Sequence, residues 1–167
     1  MAKHVGIVAR SAEGAMRRKE REIKEKTGIQ EIINRALVCR LAMSVDDQPY
    51  VVPLCFGYSD GRLYFHCAGE GMKLDMVRKN NRVCFECDVD HHLVTCENAC
   101  EWVLKAQSVI GFGRAYILDD PEAKRAALDV IMEHYGAKGP FSYKEKGFRK
   151  ALIIKVEIES MTGKKMG

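Results

Sequence analysis

The chain has 167 residues, 47% of them hydrophobic, which is enough for one domain with a substantial core and too few for two. Its net charge of +4 comes from basic residues spread along the chain or, between Arg17 and Lys26, interleaved with Glu20, Glu22 and Glu25. Mixed runs of this kind form solvated faces, so no nucleic-acid partner is implied, although a local basic pocket for one anion is compatible with them. No apolar run approaches the ~20 residues of a membrane-spanning helix, and no membrane partner is expected.

Residues 1–15 hold neither a continuous apolar stretch nor a clean cleavage site, so they do not read as a secretory signal. Met16 opens the more natural start MRRKEREI, and the first fifteen residues are expected to be a flexible extension before one domain over residues 16–167. Seven cysteines, an odd number without a secretory signal, point to reduced thiols and a cytoplasmic location. Cys39, Cys55 and Cys67 lie inside apolar runs and read as small buried hydrophobes, not as parts of a disulfide framework.

In chain order, Ile29, Ile32, Ile33 and Ala36 recur at helical spacing and predict an amphipathic helix over residues 28–36. The period then changes. Residues 37–43, 50–58 and 62–67 are short runs rich in Val, Leu, Tyr and Phe, separated by Asp46-Asp47-Gln48-Pro49 and by Ser59-Asp60-Gly61, and predict three antiparallel strands joined by tight turns. A helix follows over residues 71–80 with Leu74 and Val77 inward, then a strand over residues 82–88 and a polar loop over residues 90–101.

Residues 107–118 predict a long strand in which Gly111 and Gly113 mark a bulge or a close approach by another group. Asp120-Pro121 starts a helix whose stripe of Ala123, Ala127, Val130, Ile131 and His134 ends at Gly136, with His134 read as packing. Residues 139–147 form a loop or short turn, and residues 151–158 alternate as a closing strand. Meandering strands with helices inserted at the ends predict a mainly β, α+β fold: a small antiparallel barrel with flanking helices.

The stretch that carries chemistry is YFHCAGEGMK, residues 64–73, where a strand ends, two glycines turn the chain, and a helix opens with Lys73 in its first turn. Free N–H groups at a helix start, flexible glycines and a lysine make a phosphate cradle. Small-residue turns before helices are common and most bind nothing, so this signal is weak by itself. It is not a Walker loop, because no Gly-Lys-Ser/Thr follows. Gly111-Phe112-Gly113 is not a dinucleotide fingerprint, since Tyr116 replaces the third glycine and the segment reads as strand.

Several segments, taken together and in order, resemble the nitroimidazole-resistance (Nim) branch of the pyridoxamine 5′-phosphate oxidase-like superfamily. They are RALVCRLAMS at 35–44, QPYVVPLCFGY at 48–58, DGRLYFHCA at 60–68, GMKLDM at 71–76, RVCFECDVD at 82–90 and SVIGFGRA at 108–115. The resemblance runs from about residue 16 to about residue 162. It implies a split β-barrel homodimer, with FMN bound at the interface between two copies; FAD shares the same ring and phosphate end.

By the same resemblance, Val52, Pro53, Leu54 and Cys55 lie along the flavin ring, and His66, Cys67, Ala68, Met72 and Lys73 surround the ribityl phosphate or its approach. Trp102, Ser108 and Val109 are offered by the partner chain or the interface wall. Gln107 stands where the family has arginine, so no cationic contribution is expected from that position. Pro53 cannot donate a ladder hydrogen bond, which lets a ring lie against its strand without competing with pairing.

His66 is the candidate catalytic residue, a proton donor to reduced substrate, against the plainer reading of a strand-end histidine that bonds its neighbours. Lys73 is read as a phosphate ligand in preference to a solvated lysine. Trp102, the only tryptophan, would be core by default and joins the site on the family likeness alone. Cys84, Cys87, His91, His92, Cys96 and Cys100 invite a zinc reading, but Cys84 and Cys87 stand three apart in a strand and point to opposite faces, so no metal is expected.

The implied function is an FMN-dependent oxidoreductase reducing a small oxidised molecule, with NADH or NADPH as electron donor. The alternatives are a non-catalytic flavin- or haem-binding barrel and a pyridoxamine-phosphate oxidase.

Overall fold

The computed structural model describes residues 17–167, so the extension expected at residues 1–15 lies outside the described residues. A short 3₁₀ turn, Lys19–Arg21, leads into β1 (Glu22–Ile23), α1 (Lys26–Arg35), β2 (Cys39–Val45), β3 (Gln48–Leu54), β4 (Gly57–Ser59) and β5 (Arg62–Ala68). Next come α2 (Met72–Lys79), β6 (Arg82–Val94), a second 3₁₀ turn at Ala99–Glu101, and β7 (Val103–Leu118). The chain ends with α3 (Pro121–His134), α4 (Glu145–Lys150) and β8 (Ala151–Met166).

The strands form one antiparallel sheet in the order β3-β2-β6-β7-β8-β5-β4, with β1 added to β8. Its two ends, β3 and β4, are consecutive in the chain and separated only by Cys55 and Phe56. That link spans at most roughly 11 Å, so the sheet has to curl until its edges approach each other. The result is the expected α+β split barrel, open between β3 and β4.

The period-2 pattern decides which side chains fill it. Leu41 and Met43 of β2, Leu63 and Phe65 of β5, and Val83 and Phe85 of β6 point inward and are buried. Ile32 and Ile33 of α1 and Leu74 and Val77 of α2 join the same core cluster. Each such fully buried side chain contributes about 1.5–3 kcal/mol relative to exposure.

β8 is buried on both faces: Ile154 enters the barrel core, whereas its neighbour Ile153 turns outward beneath Ala127 and Ile131 of α3. Three bonds then fasten the end of α3 to the open seam. The His134 ring nitrogen lies 2.8 Å from the Ala36 carbonyl, and the Tyr135 hydroxyl donates to the Leu37 carbonyl at 2.7 Å while accepting from the Phe56 N–H at 3.2 Å.

The glycines of β7 have the role their positions imply. β7 and β8 slip in register between Phe112 and Gly113, a bulge, and a Cβ on Gly113 would come 2.2 Å from the Glu157 carbonyl oxygen.

Four expectations are corrected. Residues 50–58 are not one strand, because the chain leaves β3 at Cys55, crosses the seam, and begins β4 on the opposite edge. Part of the polar loop is strand: after a bulge at Asp90, whose φ is +59°, His92–Val94 pair with Val103–Lys105 to make a two-stranded arm. Residues 145–150 are helical, and β8 runs on to Met166 because β7 and β1 supply partners for its polar tail. Among the described residues no helix is long and apolar enough to cross a membrane.

Candidate anion-binding turn

β5 carries Tyr64, His66 and Ala68 on its outer face and Leu63, Phe65 and Cys67 on its inner one. His66 is therefore exposed on the barrel wall, at the mouth of a depression of about 600 Å³ that Ala68, Gly69 and Glu70 also line. Gly71 ends the turn at φ +125°, ψ 163°, a conformation essentially restricted to glycine, and caps α2 with no side-chain hydrogen bond.

That cap leaves donors free. Leu74 N–H and Asp75 N–H bond back to the Gly71 carbonyl, but the amides of Met72 and Lys73 precede the first helical bond and have no intrahelical acceptor. With the positive end of the helix dipole and the Lys73 ammonium beside them, these amides could hold one anion. The charge reaches the strand end: burial pushes the Cys67 thiol up, and Lys73 and Arg78 act against that push. The donor set fits a phosphate ester, with no Cβ at Gly71 and no capping side chain to occupy its place.

β3 lies nearby through α2, because Met72 and Met76 line one shallow groove with Val45 and Gln48 of the β2–β3 hairpin. β3 pairs with β2 alone and its other edge is open. Pro49 and Pro53 stand on this edge strand, where a missing donor costs no ladder bond. Val52 and Leu54 are half-buried against the barrel core, and Pro53 and Cys55 are exposed.

Within one chain the structure does not bring the remaining candidates to this turn. Trp102 sits at the tip of the arm, just before the outermost pair Val94–Val103, 51% exposed, with its Nε1–H donating to the Cys96 carbonyl at 2.7 Å. Leu93 and Leu104 pair across that arm and are equally open. Ser108 is half-buried, and Val109 turns its side chain fully into the core, so it can offer a ligand only its backbone. Gln107 donates to Asp90 at 2.8 Å, and Arg35 pairs with the same carboxylate.

Cys84 faces outward from β6 and Cys87 faces the core, on opposite sides of the strand. Among the described residues no three His, Cys, Asp or Glu side chains converge in a metal-binding cluster. Sequence reasoning missed one cation. Lys150, at the end of α4, lines the depression beside Glu70, because Ala151 pairs with Ala68 and brings the α4–β8 junction against Gly69. Only the β5–β8 pairing reveals it, since in sequence it belongs to a run of charged residues.

A split barrel with an uncapped, lysine-bearing helix start at the end of one strand defines a recognisable class. Residues 25–165 match the model of the pyridoxamine 5′-phosphate oxidase family, and the chain belongs to that family, within its nitroimidazole-resistance branch. The chain is 37% identical to a Bacteroides thetaiotaomicron protein ascribed to 5-nitroimidazole antibiotic resistance; the match covers 87% of each chain with a TM-score of 0.77. It is 26% identical to a FAD-binding protein of Mesorhizobium loti, over 88% of this chain and 98% of that one, with a TM-score of 0.64. A shorter likeness, 39% identity over 54 residues, links it to the uncharacterised protein RA0666 of Rhizobium meliloti (strain 1021), covering 32% of this chain and 35% of that protein.

Proposed function

We propose that the protein binds FMN, with its phosphate on the turn at residues 66–73 and its ring along Val52–Cys55, and works in the cytoplasm as an oxidoreductase on a small oxidised molecule. The observation that carries this reading is the α2 start. Gly71 provides no cap, the amides of Met72 and Lys73 lack acceptors, and Lys73 adds the charge that a phosphate dianion requires.

Bound FMN would supply the electron transfer, taking electrons from NADH or NADPH and passing them to a substrate such as a nitroheterocycle. The protein's residues have the other tasks. Lys73 and the helix amides anchor the phosphate, and the open edge of β3 orients the ring. His66, exposed on the same wall, donates a proton to the reduced substrate.

A second copy of the chain completes the site in this reading. Trp102, Leu93 and Leu104 are open on a projecting arm that their own barrel does not cover, and this arm would bring Trp102 to the partner's flavin, with Ser108 and Val109 offered from the barrel wall below it. Seven free thiols, several buried, suit a reducing compartment.

The test is flavin titration of the purified protein, followed by fluorescence quenching, with FMN, FAD and riboflavin in parallel. FMN should bind more tightly than riboflavin, and Lys73→Met should remove about tenfold of FMN affinity while leaving riboflavin unchanged. Protein that is colourless as purified and takes up none of the three flavins defeats the proposal.

A further inference from the structure

We infer that Lys150 is a second phosphate-binding cation, delivered to the flavin site by a strap over residues 143–150 that Lys124 fastens to α3. The inference depends on the flavin reading above and extends it to residues outside the turn.

Lys150 is placed by its backbone on two sides. On one, β8 begins at Ala151, which pairs directly with Ala68 of the turn, and the Lys150 carbonyl oxygen stands 3.5 Å from where a Cβ on Gly69 would lie. On the other, α4 is tied to α3. Lys124 is only 5% exposed, yet no carboxylate pairs with it among the described residues; its ammonium donates to the Phe148 carbonyl at 3.0 Å and lies 5.0 Å from the centre of the Phe148 ring.

The same ring stacks on Tyr143 at 6.2 Å and lies under the Arg125 guanidinium at 5.0 Å, while the Tyr143 hydroxyl donates to Asp129 at 2.6 Å. A buried lysine is costly unless its charge is used, and here it meets the carbonyl end of α4 and an aromatic face. The strap is thereby fixed, and the residue at its end is held at the rim of the depression.

The charges at that rim follow one pattern. Arg149 is engaged by Glu145 within α4, whereas Lys150 and Lys73 form no ion pair among the described residues. Two uncommitted lysines therefore border the turn in the fold, Lys150 beside Gly69 and Lys73 just past Gly71, and among the described residues Glu70 is the one carboxylate that lines the depression. A phosphate ester on the Met72 and Lys73 amides would meet both cations, whether it is the terminal group of FMN or the diphosphate of FAD.

The test uses the same titration on full-length protein. Lys150→Met should weaken FMN about tenfold and leave riboflavin unchanged, Lys150→Arg should restore most of the loss, and the difference should shrink with added salt. FAD as a third arm shows which phosphoryl group is read: a larger loss for FAD than for FMN places Lys150 on the diphosphate. Lys124→Met should weaken FMN severalfold in the native chain and add nothing in the Lys150→Met background, which separates positioning from general destabilisation.

Wild-type protein that prefers FMN to riboflavin, with Lys150→Met leaving that preference intact, overturns the inference and leaves the flavin reading standing. Wild-type protein that binds no flavin overturns both.

Discussion

Phe85 of β6 and Gly111 of β7 stand directly opposite each other, and the Phe85 ring occupies the space a side chain on Gly111 would need: a Cβ there would come 2.3 Å from ring atom Cζ. The second glycine of Gly111-Phe112-Gly113 is constrained from another side, by β8. Gly111→Ala should therefore destabilise the fold by about 1–3 kcal/mol through overpacking. Urea unfolding would show it, and Phe85→Leu should recover part of the loss in the double variant, because the two positions share one space. Additive losses would mean that the pair is not coupled.

Tyr135 provides a stability contribution with a predicted pH limit. Burial raises its phenol and the nearby Cys55 thiol adds to this, against the Phe56 amide, so that its pKa is pushed up to about 12. A raised folded value means that the contribution is complete below the ordinary tyrosine range near about 10 and is lost as pH rises toward the folded value. Tyr135→Phe should lower stability by about 1–2 kcal/mol at neutral pH, since it removes both hydrogen bonds at the seam. The gap from wild type should narrow above about pH 10. A gap constant to pH 12 would show that the hydroxyl does not titrate with folding.

Much of this was legible before any coordinates. β2, β5, α2 and α3 follow from period alone, because each buries one face or stripe and the chain alternates accordingly. The β3–β4 break was not legible: residues 50–58 are continuously apolar, and the corner at Cys55–Phe56 contains no glycine, proline or charge. The arm was hidden because both its faces are open, so polar residues such as His91 and His92 occupy strand positions without breaking a rule. At the site, Lys73 announced itself by local context, whereas Lys150 and Lys124 depend on pairings over 80 residues and more away from their own segments in the first case and on a strap in the second, which no local pattern encodes.

Asp88 ties the charges of β2 and β6 together through Arg40 and His91. Burial pushes its carboxyl up, but hydrogen bonds from Arg40 at 2.8 Å and from His91 at 3.0 Å outweigh that and hold it below its ordinary range. A depressed folded value gives stability that is present above the unfolded value near about 4 and is lost as pH falls through the folded one. Asp88→Asn should thus flatten the acid limb of the stability profile below about pH 4 and cost little of the fold otherwise, because the pair is partly exposed and screened. An unchanged acid limb would place the acid sensitivity outside this cluster.

Gly71 is the position where fold and binding make the same demand. Its φ of +125° with ψ 163° lies where an alanine is strained by about 1–3 kcal/mol, and nothing stands within 4 Å of a Cβ added there, so the cost is conformational and not steric. Gly71→Ala can relieve that strain only by rotating the turn, which would swing the Met72 and Lys73 amides away from their common focus. FMN affinity should fall by at least tenfold while riboflavin affinity changes little, and the melting temperature should drop by only a few degrees. Equal losses for the two flavins would show that the turn supports the ring pocket and does not hold the phosphate.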